Sequence, residues 1–283
     1  MTIMSKGIYE LPESARFVKI SSVSLEKQSG NDKTKRTGEK IAIVLPTYNE
    51  RKNLQLLIPG IEDIFDRYGI NGHLIIVDDK SMDGTADIAI RFARAYRNIT
   101  VIQRPGKLGL GSAYRFGFKQ ALKMGMDLIF EMDADLSHRP SYIPKFIACL
   151  KKYDADLVIG SRYCKRGSTE NWPFLRKLIS FGANFFTHIA LGVSQTRDMT
   201  SGFRIYKAKT LQAIDYNALT TNGYAWQIET LYRTKLVRHK IREIPIIFHE
   251  REFGLSKLGR DDVKEFVFFL FKAFLYRISR VLR

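Results

Sequence analysis

From Lys40 onward, apolar residues fall into short unbroken runs that alternate with segments of helical period. "KIAIVLP" is a compact β-rich run, "NLQLLIPGIEDIFDRY" repeats its apolar positions every three or four residues, and "HLIIVDD" is a run again. The alternation continues through "DGTADIAIRFARAY" (helix, capped by Asp83 or Thr85), "ITVIQ" (strand), "GLGSAYRFGFKQALKMG" (helix), "DLIFEMD" (strand), "SYIPKFIACLKKY" (helix) and "ADLVIG" (strand). Strands that are apolar throughout belong to a sheet covered on both faces, and the intervening helices supply the covers. Five such strands predict a doubly wound, mostly parallel α/β sheet.

Two regions break the rhythm. Residues 1–39 mix Ser, Lys, Glu and Gly without sustained periodicity and read as a mobile lead. After Gly167 comes "NWPFLRKLISFGANFFTHIALG", a long aromatic-rich amphipathic segment. Strands in "SGFRIY" and "KIREIPIIFHE" and a helix in "AWQIETLYRTKLV" follow it. The expected organisation is therefore a lead (1–39), a catalytic domain (40–260) and a C-terminal basic and apolar docking helix (261–283). In that helix Lys272 interrupts "FVFFLF" and "AFLY". The uncharged run falls well short of the roughly 18–20 residues a membrane span needs. Two readings stay open for it: an interfacial anchor, or a helix packed on the protein's own core.

Composition narrows the partners. The formal net charge of +17 calls for an anion: nucleic acid, an anionic membrane surface or a phosphorylated substrate. The basic residues are not gathered into one run, and no zinc-finger, RRM or helix-turn-helix pattern is present, which disfavours nucleic acid. Cys149 and Cys164 form no metal-binding spacing, and the composition suits a reducing compartment. "MTIMSKGIYE" carries no apolar signal core.

In a doubly wound sheet, ligands bind at the carboxyl ends of the strands. Those ends carry "PTYNE", "VDDKSMDG", "QRPGKLGLG", "MDADLSH" and "GSRYCKRG". Asp133 and Asp135 form an Asp-x-Asp pair, read either as a turn or as ligands for a hard cation such as Mg²⁺ or Mn²⁺, with Asp135 the direct ligand. Asp78, Asp79 and Glu50 add acids on the same edge. Asp78 and Asp79 are suited to accept hydrogen bonds from a ribose or base. Lys107 sits in a glycine-rich lead into a helix, where it can face a phosphate.

Taken in order, "IVLPTYNE", "IIVDDKSMDGT", "KLGLGSAYRFGF", "MDADLSHRP", "VIGSRY" and "DMTSGFRIYKA" resemble the family 2 glycosyltransferases of GT-A fold. "NWPFLRKLIS" and "HEREFGLSKL" narrow the resemblance to the dolichyl- or polyprenyl-phosphate mannosyltransferases, over roughly residues 40–260. The resemblance implies inverting, metal-dependent transfer of mannose from GDP-mannose to dolichyl or polyprenyl phosphate. Pro46, Tyr48, Glu50 and Asp78 would hold the guanosine half of the donor. Asp133 and Asp135 would take the metal and the diphosphate, and Ser137 stands where some members place a metal-contacting Gln. Arg162, Arg176, Ser180, Arg251 and Lys257 match positions facing the donor diphosphate or the acceptor phosphate. Asp135, Arg162 and Arg176 would carry the chemistry, the two arginines and Ser180 serving the acceptor phosphate.

A phosphate monoester is already largely dianionic at neutral pH, with a second pKa of about 6. It requires cations more than a base. The absence of a QxxRW sequence agrees with a phosphate acceptor. The aromatic segment would lie as an amphipathic helix on the membrane, giving a peripheral protein on a cytoplasmic face (endoplasmic reticulum or plasma membrane, according to kingdom) with a small membrane-spanning partner subunit. Rival readings are the same fold using UDP-glucose or UDP-GlcNAc, an inactive regulatory subunit, or a basic nucleic-acid-binding module.

Overall fold

The computed structural model describes residues 17–18, 38–193, 196–251 and 259–281. The elements run β1 (Phe17–Val18), β2 (Ile41–Thr47), α1 (Arg51–Arg67), β3 (Gly72–Asp78), α2 (Thr85–Ala95), β4 (Ile99–Gln103), α3 (Leu110–Lys123) and β5 (Leu128–Glu131). They continue as α4 (Ile143–Lys152), β6 (Leu157–Ser161), β7 (Ser168–Thr169), α5 (Phe174–Leu191), β8 (Arg204–Lys207) and α6 (Ala208–Ala213). The last are α7 (Trp226–Leu236), β9 (Ile241–Pro245), β10 (Ile247–Phe248) and α8 (Arg260–Val281).

One eight-stranded sheet, ordered β1-β4-β3-β2-β5-β8-β6-β9, forms the frame, and β7 and β10 make a separate two-stranded ribbon. β2 pairs in parallel with β3 and β5. β8 enters antiparallel between β5 and β6. Period-two alternation divides the strand residues between two cores. Ile41, Ile43 and Leu45 pack with Leu54, Ile58 and Phe65 of α1, whereas Ala42 and Val44 face Tyr114 and Phe118 of α3 and Trp226 of α7. All these side chains are buried. The close fit of α3 depends on Gly117, where a Cβ would stand 2.3 Å from Val44 Cγ1.

Both expectations for the α2 cap need correcting. The N-cap is Gly84, in the left-handed region at φ 85°, and Thr85 is the first helical residue. Asp83 still contributes: its Oδ1 accepts the Thr85 N–H at 3.0 Å.

α5 and α8 pack against each other. Leu270 and Ala273 of α8 are buried, and Arg277 Nη1 donates to Ile189 O at 2.6 Å near the end of α5. The C-terminal helix is thus docked on its own domain. It still leaves Val267, Phe268 and Phe271 exposed, as α5 leaves Phe174, Phe181 and Phe186. Among the described residues no helix is long and apolar enough to cross a membrane.

Candidate active site

A cavity of about 370 Å³ opens where the carboxyl ends of β2 and β5 meet α5 and α8. It brings together eight residues predicted from sequence: Pro46, Glu50, Asp133, Asp135, Arg162, Arg176, Ser180 and Arg251. Tyr48, Asp78, Asp79, Lys107 and Ser137 lie off its lining, and Lys257 falls outside the described residues.

The Asp-x-Asp pair follows β5 directly, so the sheet sets its position. Asp133 Oδ1 accepts from Tyr114 OH at 3.0 Å, and its backbone N–H donates to His138 Nδ1 at 3.2 Å. Burial, and then the neighbouring Asp135 charge, push the Asp133 carboxyl up to about 7. His138, stacked on Phe203 at 4.8 Å, is held neutral by burial, its pKa lowered to about 4.

Asp135 Oδ1 accepts from Ser137 N at 3.1 Å and from Ser137 Oγ at 2.5 Å, and Arg251 Nη2 stands 3.4 Å from Asp135 Oδ2. Ser137 is itself 1% exposed, and both its N–H and its hydroxyl are engaged with Asp135. The hydroxyl expected from sequence to join the metal set thus holds the neighbouring carboxylate in place.

The second acidic pair also serves the fold. Asp78 accepts from Thr47 Oγ1 at 2.9 Å and from Ser81 Oγ at 2.6 Å. Asp79 is ion-paired with buried Arg104 at 2.5 Å and accepts the Leu108 N–H at 3.0 Å. Asp79 therefore anchors the glycine loop ahead of α3. In that loop Gly109 has φ 95°, and a Cβ there would stand 2.6 Å from Asn222 O. Lys107 Nζ lies over the Tyr48 ring, 5.1 Å from its centroid.

The cationic wall is organised by carboxylates. Arg162 donates to Asp198 from its backbone N, Nε and Nη2 at 2.9, 2.7 and 2.7 Å, and to Thr200 Oγ1 at 2.7 Å. Burial opposes both charges, yet their attraction outweighs it: Arg162 is raised above its usual value and Asp198 lowered. Arg176, on the first turns of α5, pairs with Glu250 at 2.7 Å, and Ser180 Oγ accepts from Tyr163 OH at 2.7 Å.

Sequence reasoning singled out "DMTSGFR" without assigning Asp198, although an acid in that motif was the available signal. It also left out Trp172, Thr200 and Tyr114, which are placed by contacts between distant segments.

Asp133 and Asp135 fit a hard divalent cation: two recessed carboxylates lie close enough for one to raise the pKa of the other. No third acidic or histidine ligand completes a cage among the described residues. That suits an ion bound through one or two carboxylates, with substrate phosphate and water filling the remaining positions.

Comparisons with known proteins agree with this arrangement. A model of "Glycosyl transferase family 2" matches residues 42–215. The undecaprenyl-phosphate mannosyltransferase of Micrococcus luteus is 40% identical over 228 residues, covering 81% of this chain and 91% of its own. The polyprenol monophosphomannose synthase of Mycolicibacterium smegmatis is 37% identical over 245 residues, covering 86% and 90%. Among solved structures, glucosyl-3-phosphoglycerate synthase of Mycobacterium tuberculosis, in complex with Mn²⁺, UDP and glucosyl-3-phosphoglycerate, superposes with a TM-score of 0.60 at 18% identity, covering 89% and 86%. That likeness establishes the shared GT-A-type α/β fold. With the family model spanning most of the sheet and both relatives at least 37% identical over more than four fifths of the chain, the chain belongs to glycosyl transferase family 2.

Proposed function

We propose that this chain transfers mannose from GDP-mannose to a polyprenyl (dolichyl) phosphate with inversion at the anomeric carbon, working at a membrane surface. The observation that carries the reading is the composition of one cavity. Asp133 and Asp135 share it with Arg162, Arg176 and Ser180, and α5 and α8, which expose aromatic residues elsewhere on their surfaces, add Ile179, Val263 and Phe266 to its lining. Both curated relatives bear names that specify mannosyl transfer to a polyprenyl phosphate.

In this reading Asp133 and Asp135 hold Mg²⁺ or Mn²⁺ together with the donor diphosphate. When bound, the ion supplies charge stabilisation for the departing nucleoside diphosphate. The chain's own groups do the rest. Arg251 serves the diphosphate, and Lys257, outside the described residues, is assigned the same role by resemblance. Pro46, Tyr48, Glu50 and Asp78 border the nucleoside side, with Lys107 against Tyr48. Arg162, Arg176 and Ser180 bind the acceptor phosphate, which needs no general base because it is already ionised. The reaction requires two anions to be brought together, and arginine guanidinium groups suit phosphate by charge and by geometry.

The apolar faces of α5 and α8 rest on the bilayer, keeping the protein peripheral on the cytoplasmic face. A small membrane-spanning subunit is a further partner in this reading. Lipid tails shielded by exposed Phe174, Phe181 and Phe186 would let the phosphate head reach the cavity.

The direct experiment is turnover with a short-chain polyprenyl phosphate, offering GDP-mannose against UDP-glucose, with and without EDTA. Mannosylated lipid that disappears on chelation is the expected result. Glucosylated lipid, or no lipid product from either donor, would overturn the reading.

A further inference from the structure

Among the described residues, the three cations that line the cavity are already paired: Arg162 with Asp198, Arg176 with Glu250, and Arg251 with Asp135. A dianion entering this site meets partly compensated charge. Neutral donors that are already in place therefore matter to its binding.

One such donor is present. Trp172, two residues before α5, is 8% exposed and lines the cavity. Its Nε1 is buried and has no hydrogen-bond partner among the described residues. The other tryptophan, Trp226, shows the usual solution: its Nε1 donates to Glu131 at 2.5 Å. A buried indole N–H is normally satisfied, so an unsatisfied one in the wall of a binding cavity points to a ligand acceptor.

The ring faces do separate work. The Arg176 guanidinium carbon lies 4.3 Å from the Trp172 ring centroid and that of Arg162 lies at 5.4 Å. Phe248 meets the ring edge-on at 5.3 Å and so fixes its plane. One side chain therefore touches both arginines assigned to the acceptor and carries beside them a donor that has no partner among the described residues.

We infer that the Trp172 indole N–H donates directly to the phosphate monoester of the acceptor, while its ring keeps the Arg162 and Arg176 guanidinium groups within reach of the same anion. This rests on the reading of the acceptor as a polyprenyl phosphate. Trp172→Phe keeps a smaller aromatic face and removes the donor. A hydrogen bond to a charged phosphate is then lost, and the KM for lipid phosphate rises about tenfold. The KM for GDP-mannose stays within about twofold, a split that a merely structural role would not produce.

Binding is read independently of turnover in the full chain labelled with ¹⁵N at its two indoles, the Trp172 cross-peak being assigned from Trp172→Phe. A short-chain polyprenyl phosphate should move that cross-peak downfield and leave the Trp226 cross-peak in place, whereas GDP alone should move neither. If the parent chain mannosylates the lipid but the Trp172 cross-peak stays still, or answers only to GDP, the role of Trp172 is overturned and the acceptor reading stands. If the parent chain does not mannosylate the lipid at all, the acceptor reading falls first and takes this inference with it.

Discussion

Arg162 and Asp198 are joined at three points, with Asp198 0% exposed, whereas Arg176 and Glu250 meet once at a half-open rim. The two pairs flank the same cavity and look alike as contacts, but their environments give them different weights. Removing one partner of a buried pair strands the other charge and costs about 3–5 kcal/mol. An exposed pair is worth about 0–1 kcal/mol. Asp198→Asn, which keeps the shape and loses the charge, is expected to lower unfolding stability by about 3 kcal/mol. Arg176→Ala should change stability by less than about 1 kcal/mol yet raise the KM for lipid phosphate more than that for the sugar nucleotide. Urea titrations of both variants beside steady-state kinetics separate the cases. Equal stability losses would show that burial does not distinguish them.

The acid limb of stability should carry a histidine component away from the active site. His73 on β3, bonded to Thr100 Oγ1 at 2.9 Å, has its pKa lowered to about 4 by burial. The unfolded chain protonates this group near pH 6.5. Between that pH and about 4 the unfolded state therefore binds the extra proton, and stability falls as pH falls. Below about 4 the native ring also protonates and the component levels off. The ring is partly exposed, so a total of about 1–2 kcal/mol is expected. His73→Gln keeps a hydrogen-bonding side chain and should show a shallower fall from pH 6.5 to 4.5. Carboxylate contributions are common to both proteins, so identical slopes would remove His73 from the account.

The parallel part of the sheet was legible because its strands are apolar on both faces, as Val44 on one face and Leu45 on the other illustrate. The Asp-x-Asp pair was legible through residue type and the rule that ligands meet strand ends, and the arginines through the resemblance to the family. Legibility stopped where function depends on pairing between distant segments. β8 gives a strand signal, but nothing local says that it inserts antiparallel between β5 and β6. Trp172 reads in sequence as one more aromatic in an amphipathic stretch, and only its N–H, unpaired among the described residues, sets it apart. Asp79 and Ser137 have the right chemistry for ligands, and their contacts with Arg104 and Asp135 could not be read from sequence. A polar side chain reveals what it can bind, but its neighbours determine what it does bind.

The seating of α3 on the sheet offers a test of packing by compensation. A methyl at position 117 would stand 2.3 Å from Val44 Cγ1 and 3.1 Å from Cγ2, so rotating the valine exchanges one clash for another. Gly117→Ala should therefore destabilise the fold by about 1–3 kcal/mol, despite the gain in helix propensity. Val44→Ala alone leaves a small void and is also destabilising. Combined, the two substitutions should be less damaging than their separate effects added, because the new methyl fills the space the valine leaves. The coupling energy from the double-mutant cycle is the quantity to measure. Strict additivity would mean that α3 shifts away from β2 instead of packing on it.

Asp135 and Ser137 should separate a group that acts on the substrate complex from one that orients it. Asp135 faces the cavity, and Ser137 lies behind it, donating twice to Asp135 Oδ1. Asp135→Ala deletes a carboxylate proposed to hold the cation and should reduce mannosyl transfer by at least about 100-fold. Ser137→Ala keeps the carboxylate and one backbone N–H bond but frees its rotation. A loss of about tenfold is expected, in the range seen when an outer partner of a metal-binding group is removed. The decisive measurement is the Mg²⁺ or Mn²⁺ concentration for half-maximal activity. Ser137→Ala should shift it upward and approach parent turnover at saturating metal, because the ion itself restores the Asp135 orientation. Asp135→Ala should stay inactive at every metal concentration. If extra metal failed to rescue Ser137→Ala, its hydroxyl would have a role other than holding Asp135. If Asp135→Ala kept parent activity, the carboxylate would be removed from the proposed cation site.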